Sequence, residues 1–385
     1  MPIKQIRTIT ARNFKSLVDF RLDLAKFTCL IGLSGAGKST VLQFIDFLAQ
    51  QVRGDIKGWL RARSWDVGDI LSHPVTETNI DFSVLLTDDS GGEATWEASF
   101  SRDQHHCTQE RIAIADVTLD VHDERVAVHP PPAGMPEEQQ ITFTYEGSIL
   151  SQLRESTLPP RLVEFKKFCQ KVQSLDVLSP ELLRQRTRTP VESLGLGGRG
   201  LPAFLHKLGA MELQKLAAQL RVAYKQLRGV ETKSLRRGWK KLEIEEEFGD
   251  RMLVTDAHHV ADGMLRLIAI LAETQTEHRF LLFDEIENGI NPELVEFVLD
   301  ALVSAPQQVL VTTHSPMILN YLDDRVAREG VVYLYKTREG QTRAIRFFDI
   351  PSVAEKLTVM GPGEAFADTD LTALRDEIEA VAEGR

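Results

Sequence analysis

Eight residues, Gly32-Leu-Ser-Gly-Ala-Gly-Lys-Ser39, constrain this chain more than any other stretch, because they fit G-x-x-x-x-G-K-[ST] completely. Backbone N–H groups in such a loop must turn inward around an anion, and side chains at the glycine positions would obstruct that turn. Upstream, Phe27-Thr-Cys-Leu-Ile31 is a continuous buried-strand pattern; downstream, Val41, Leu42, Ile45 and Leu48 recur at helical spacing. The N-terminus of that helix adds positive potential. The context predicts a polyphosphate cradle made by Gly32, Ser34, Gly35, Ala36 and Gly37. Lys38 is placed to reach the β- and γ-phosphates, and the Ser39 hydroxyl to ligate Mg²⁺.

Two later segments belong with such a loop. Phe280-Leu-Leu-Phe-Asp-Glu285 is an apolar strand ending in two carboxylates. Asp284 is placed to hold the Mg²⁺ shell, and Glu285 to orient or deprotonate an attacking water. About 25 residues on, Gln308-Val-Leu-Val-Thr-Thr-His-Ser-Pro316 is a second apolar strand with His314 at its end. His314 could contact the γ-phosphate or polarise the water.

The rest of the 385 residues supply ample material for a large core and more than one packing unit. No apolar run approaches the roughly 20 residues of a spanning helix. The N-terminus lacks the apolar segment and cleavage site of a signal peptide. Cys29, Cys107 and Cys169 form neither a CxxC pair nor an even framework. These features predict a cytoplasmic chain with reduced thiols and no membrane partner. Period-two patterns from about Ile80 to Tyr145, with a turn at Asp88 to Gly92, predict antiparallel strands that include Ile141 to Tyr145. From Leu158 to about Phe248 the chain reads as mainly helical. Strands return at Phe280–Phe283, Gln308–Thr312, Val331–Tyr335 and Thr342–Phe348. A last helix follows from Leu371 to Val381, capped by Asp368, Thr369 or Asp370.

These motifs together resemble the ABC-type ATPases of the RecF/SMC/OLD group, and especially the stand-alone AAA-family ATPases of bacterial defence systems, of which PtuA-like proteins are an example. Ile9-Thr-Ala-Arg-Asn-Phe-Lys-Ser16 looks like that group's first-strand motif, and Leu282 to Pro292 is similar to its Walker B and D-loop. Thr312-Thr-His-Ser-Pro316 looks like its switch histidine. Val260-Ala-Asp-Gly-Met-Leu-Arg-Leu-Ile-Ala269 resembles its signature, with Ala261 and Met264 at the usual serine and threonine positions.

The resemblance implies an α/β P-loop NTPase with an ABC-ATPase-like head, a mixed sheet, an antiparallel β subdomain and a helical insertion. It divides the chain into an N-terminal lobe at 1–150, an insertion at 151–250 and a C-terminal lobe at 251–385. It adds Asn13, Lys15, Thr40, Asp262 and Gly263 to the nucleotide-binding set, and implies ATP and Mg²⁺ as cofactors. Lys38, Glu285 and His314 would form the catalytic set. Two subunits would close head to tail on two ATP molecules, as a homodimer or a higher oligomer. Asp262 alternatively reads as the plain cap of a helix. The implied function is control of a separate effector, a nuclease or toxin, in anti-phage defence. A nucleotide-gated scaffold with little hydrolysis and a DNA-maintenance ATPase are the alternatives. About 70 residues follow His314 without an acidic metal cluster, so a nuclease activity is expected from another chain.

The net charge of −11 gives no whole-protein attraction to nucleic acid. One local exception is 221–241, where Arg221, Lys225, Arg228, Lys233, Arg236, Arg237, Lys240 and Lys241 stand against Glu231 alone. It is either a solvated helix face or a nucleic-acid contact.

Overall fold

The structure is a computed structural model that describes residues 3–72, 77–131, 136–175, 178–188 and 193–383. It divides into two compact units, one formed by Met1–Val172 with Asp324–Arg385 and the other by Gln173–Asp323. No described helix is long and apolar enough to cross a membrane.

The first unit begins with β1 (Ile3–Phe14), β2 (Leu17–Asp23) and β3 (Phe27–Ile31), then α1 (Lys38–Arg53) and α2 (Ile56–Ala62). β4 (Asn79–Asp88), β5 (Glu93–Ser101), β6 (Cys107–Ile114), β7 (Val117–His122), β8 (Arg125–His129) and β9 (Glu138–Gln140) follow, and then α3 (Pro160–Gln170). Eight of these strands form one antiparallel sheet in the order β2-β1-β4-β5-β6-β7-β8-β9. Alternation along β4 and β5 buries every second residue, as half-buried strands require. The turn at Asp88 to Gly92 is held by the Asp88 carboxylate, which accepts from the Ser90 and Gly92 amides at 2.8 Å each.

One expected strand is absent. Ile141 to Tyr145 pairs with no neighbour as a strand, and the last strand of the sheet is Glu138–Gln140 instead. The alternating residues of 141–145 read as a strand in sequence, but its aromatics pack sideways. Tyr145 lies 4.4 Å from the His106 ring and donates its hydroxyl to the Cys107 carbonyl at 3.0 Å.

The second unit carries β10 (Val172–Leu175, begun at the boundary residue), α4 (Pro180–Leu183), β11 (Thr187–Arg188), α5 (Leu201–Leu208) and α6 (Ala210–Ala223). Next come β12 (Leu227–Ser234), β13 (Trp239–Phe248), β14 (Arg251–Asp256), α7 (Asp262–Thr274), β15 (Phe280–Phe283), α8 (Pro292–Val303), β16 (Gln308–Thr312) and α9 (Pro316–Asn320). β15 and β16 are parallel and fully buried.

The expected helical stretch carries helices, interrupted by β10 and β11, only as far as Ala223; from Leu227 it is an antiparallel sheet in which β13 pairs with β11, β12 and β14. Val230, Leu242 and Ile244 are buried by this sheet, whereas Lys233 of β12 and Lys241 of β13 both pair with Glu243 of β13. Arg228 and Lys233 of the run fall at exposed strand positions, where a run of charge reads the same as a solvated helix face.

The chain returns to the first unit through α10 (Asp324–Gly330), β17 (Val331–Lys336) and β18 (Thr342–Arg346), then α11 (Pro351–Lys356), α12 (Pro362–Ala367) and α13 (Leu371–Glu383). β17 runs parallel to β3 and antiparallel to β18. Of the three cap candidates, Asp370 takes the position, accepting from the Thr372 amide at 2.8 Å.

An aromatic core fixes α1 in the first unit. Phe14 of β1 lies 5.2 Å from Phe44 and 5.4 Å from Phe47 of α1, and Phe47 meets Phe100 of β5 edge-on at 5.2 Å. The start of α1 is where the glycine loop ends, so this core determines where the loop points.

Candidate nucleotide site

One candidate cluster, in the first unit, is the turn from β3 into α1. Gly32 has φ 145° and Gly37 φ 109°, conformations that L side chains rarely adopt. A methyl group on Gly32 would lie 2.3 Å from the Leu334 carbonyl oxygen, and one on Gly37 would lie 2.4 Å from Thr342 Oγ1. The glycines are thus required both by backbone conformation and by the wall behind them. That wall is Thr342, fully buried in β18, whose hydroxyl donates to the Ala36 carbonyl at 2.9 Å and meets Ser16 Oγ at 2.8 Å.

Gly37 caps α1 with no side-chain hydrogen bond, and the first turn contains no acidic residue. The amides of a 16-residue helix therefore face the loop with their positive end unneutralised. Lys38 is 6 % exposed and donates its ammonium to the carbonyls of Gly32 at 2.9 Å and Leu33 at 3.3 Å, closing the ring of the loop around a positive charge. Ser34, Gly35 and Ser39 are exposed, Ala36 is buried and Thr40 half-buried. A cradle of uncapped amides, a cation and an exposed hydroxyl fits a polyphosphate.

The first-strand residues have other partners. Asn13 is 2 % exposed, and its amide donates to the carbonyls of Glu77 at 2.7 Å and Asn79 at 2.8 Å while accepting from the Ser72 amide at 3.1 Å. In this structure its side chain stitches the end of β1 to the segment before β4. Lys15 lies 3.4 Å above the Trp65 ring and donates to Gln43 of α1 at 2.9 Å.

A second cluster, described by itself, lies in the other unit at the ends of β15 and β16. Thr312 is fully buried; its hydroxyl donates to Asp284 Oδ1 at 2.6 Å and accepts from the Glu285 amide at 2.8 Å. One hydroxyl thus fixes both carboxylate residues. Glu285 has φ 48°, in the left-handed region, and its carboxylate accepts from Asn288 Nδ2 at 3.1 Å. His314 Nε2 stands 4.0 Å from Glu285 Oε1, and the two side chains are 40 % and 39 % exposed. That separation is too long for a hydrogen bond but within reach of one oxygen bonded to both. The His314 amide donates to Glu287 Oε1 at 2.8 Å, which sets the direction of the chain.

At the signature-like segment, Ala261 occupies the N-cap of α7 and makes no side-chain cap bond. The plain-cap reading placed Asp262 there; Asp262 is instead the first helical residue. Its carboxylate is gripped by Arg184, which also donates to the Val260 carbonyl at 2.8 Å. Gly263 packs against the loop after β15, where a methyl group would lie 2.8 Å from the Gly289 carbonyl oxygen. Arg266, one turn on, donates to the Asn288 carbonyl at 2.7 Å, and burial lowers its pKa.

Each unit thus assembles its own residues: Gly32 to Ser39 in the first unit, and Asp284, Glu285 and His314 with Thr312 in the second. Ser39 and Asp284 both offer hard oxygen donors, the donor type Mg²⁺ prefers. Thr312 and Thr342 were not assigned roles from sequence. Thr312 stood inside a motif quoted for its histidine, and no local pattern signals Thr342.

Residues 5–128 match the family model of an AAA ATPase domain, and residues 216–320 match that of an "AAA domain, putative AbiEii toxin, Type IV TA system". No curated protein matches the sequence. Among solved structures, the chain is similar to an SMC head bound to the C-winged helix domain of ScpA, with 13 % identity and a TM-score of 0.55, covering 88 % of this chain and 97 % of that one. It is also similar to an SMC head domain with an extended coiled coil bound to the C-terminal domain of ScpA, derived from Pyrococcus furiosus. Identity there is 12 % and the TM-score 0.53, covering 93 % of this chain and 100 % of that one. The fold is that of an SMC head, and both family matches are to AAA-type ATPase domains.

Proposed function

We propose that the chain is an Mg²⁺-dependent ATPase of ABC type, whose ATP-driven dimerisation controls a separate effector, a nuclease or toxin, in the bacterial cytoplasm. The observation that carries the nucleotide reading is the uncapped start of α1, ringed by glycines and closed by Lys38. In this reading Gly32 to Thr40 bind the ATP phosphates, and Ser39 and Asp284 hold the metal, which when bound neutralises charge on the phosphate oxygens. Glu285 orients or deprotonates the attacking water, His314 contacts the γ-phosphate or the same water, and Lys38 stabilises charge on the transferring group. Thr312 keeps Asp284 and Glu285 in register through the reaction.

The role in defence rests on the PtuA-like resemblance and on the toxin–antitoxin wording of the second family match. The idea of a protein partner is supported by the ScpA domains that the similar SMC heads hold.

Native mass measured with and without ATP–Mg²⁺ tests the reading. The Glu285→Gln variant should bind ATP and accumulate as an ATP-dependent dimer or larger assembly, and Lys38→Ala should not. Normal turnover in Glu285→Gln, or an assembly indifferent to nucleotide, would overturn it.

A second reading, a nucleotide-gated scaffold with little hydrolysis, is favoured by one observation. The signature has no hydroxyl at Ala261, and Asp262 is already held within its own subunit by Arg184. ATP retained through purification with almost no ADP formed would select this reading; sustained turnover would select the first.

A further inference from the structure

The eight basic residues of 221–241 do not form one cationic surface. Arg221 donates to the carbonyls of Leu227 at 3.2 Å and Arg228 at 2.9 Å, and Arg228 pairs with Glu247. Lys233 and Lys241 both close on Glu243, and Lys240 donates to Ser234 Oγ at 2.6 Å. The acidic segment that follows the run in sequence folds back beside it and neutralises it.

The tip of the β12–β13 hairpin escapes this pairing. Its turn is closed by the Leu235 amide donating to the Trp239 carbonyl at 2.7 Å. Arg236 and Arg237 are exposed there and, among the described residues, make no side-chain hydrogen bond or ion pair. Trp239 is 43 % exposed. Arg188 of β11 stands directly across from Trp239 in the strand register, so the two side chains leave the same face of the sheet. Arg188 is also exposed.

We propose that Arg188, Arg236, Arg237 and Trp239 bind single-stranded nucleic acid, with guanidinium groups on phosphates and the indole face against an unstacked base. An indole left half in water among three arginines, on a chain of net charge −11, matches a stacking platform with local counter-charge. Arginine suits the role because its planar fork engages phosphate oxygens in pairs. The glutamates farther along β13 repel a polyanion, so the strand crosses the tip rather than following β13. The site lies wholly in the second unit and is independent of the nucleotide reading.

The test is fluorescence anisotropy of a labelled oligo-dT of about 20 nucleotides on the full chain without nucleotide, read across a salt series. The double variant Arg236→Ala/Arg237→Ala should reduce the slope of log K against log salt by about 1.4, or roughly 0.7 for each lost phosphate contact. Arg236→Lys/Arg237→Lys should keep most of that slope. Trp239→Ala should weaken binding about tenfold at every salt concentration with little change of slope. Binding should also quench tryptophan fluorescence in the wild type and not in Trp239→Phe. Wild-type affinity and slope in the double alanine variant would overturn the proposal, as would no binding by the wild type. Equal or tighter binding of a duplex, anionic vesicles or polyglutamate would overturn the single-strand assignment. Because binding is read without nucleotide, neither result bears on the ATPase reading.

Discussion

Thr312 shows how much chemistry one hydroxyl can organise. It is a donor to Asp284 and an acceptor from the backbone of Glu285, so neither acidic residue is held by its own strand alone. Glu285 adopts a left-handed backbone conformation, which costs on the order of 1–3 kcal/mol for a non-glycine residue and needs such support. Thr312→Val keeps the volume and removes both hydrogen bonds. On the proposed reading, in which Asp284 holds the metal, we expect it to fold and to bind ATP while turnover falls by about 10–100-fold. Steady-state ATPase assays beside ATP titrations check this; wild-type turnover would show that Thr312 is only a packing residue. Residues of this kind were hard to find in the sequence. The glycine loop was legible because its chemistry is written in eight consecutive letters. Thr312 was visible but unassigned, since its role depends on what stands 27 and 28 residues away. Asn13 was read through resemblance as part of the nucleotide site, and only coordinates reveal its amide stitching backbone.

At the scale of elements, most strands and the two principal helices of the site follow from local pattern. β3 and β15 are fully buried runs, and α1 carries its apolar face at helical spacing. The stretch from Leu227 to Phe248 misled because charge hid its period of two. Lys233 and Lys241 pair with Glu243, and a one-dimensional reading sees only a basic run followed by an acidic one. α1 owes its position to aromatic packing more than to its sequence propensity. Phe44 is fully buried between Phe14 and its own helix, so Phe44→Ala should cost about 3–5 kcal/mol. A denaturant melt checks this, and the loss should come with weaker ATP binding because the loop is carried on the same helix. A cost below about 1 kcal/mol would mean the core does not position α1.

The first unit takes its residues from both ends of the chain, and the loop is where those ends meet. Thr342 holds Ala36 from 306 residues away, a distance over which no sequence pattern can signal a contact. Thr342→Val should leave the Ala36 carbonyl without its partner at a cost of about 1–3 kcal/mol. We expect about tenfold weaker ATP binding, equivalent to 1.4 kcal/mol. Calorimetric titration of ATP against the variant measures this. Undiminished affinity would show that the loop keeps its shape without the clasp.

The same clasp orders events in time. A ribosome adding about 5–20 residues each second needs roughly 15–60 s to travel from Ala36 to Thr342. Throughout that interval the glycine turn exists without its rear wall, and the nascent chain lacks the finished cradle. Only a polypeptide that has come nearly to its last strands acquires it, so nucleotide capture doubles as a report that synthesis has reached the far side of the molecule.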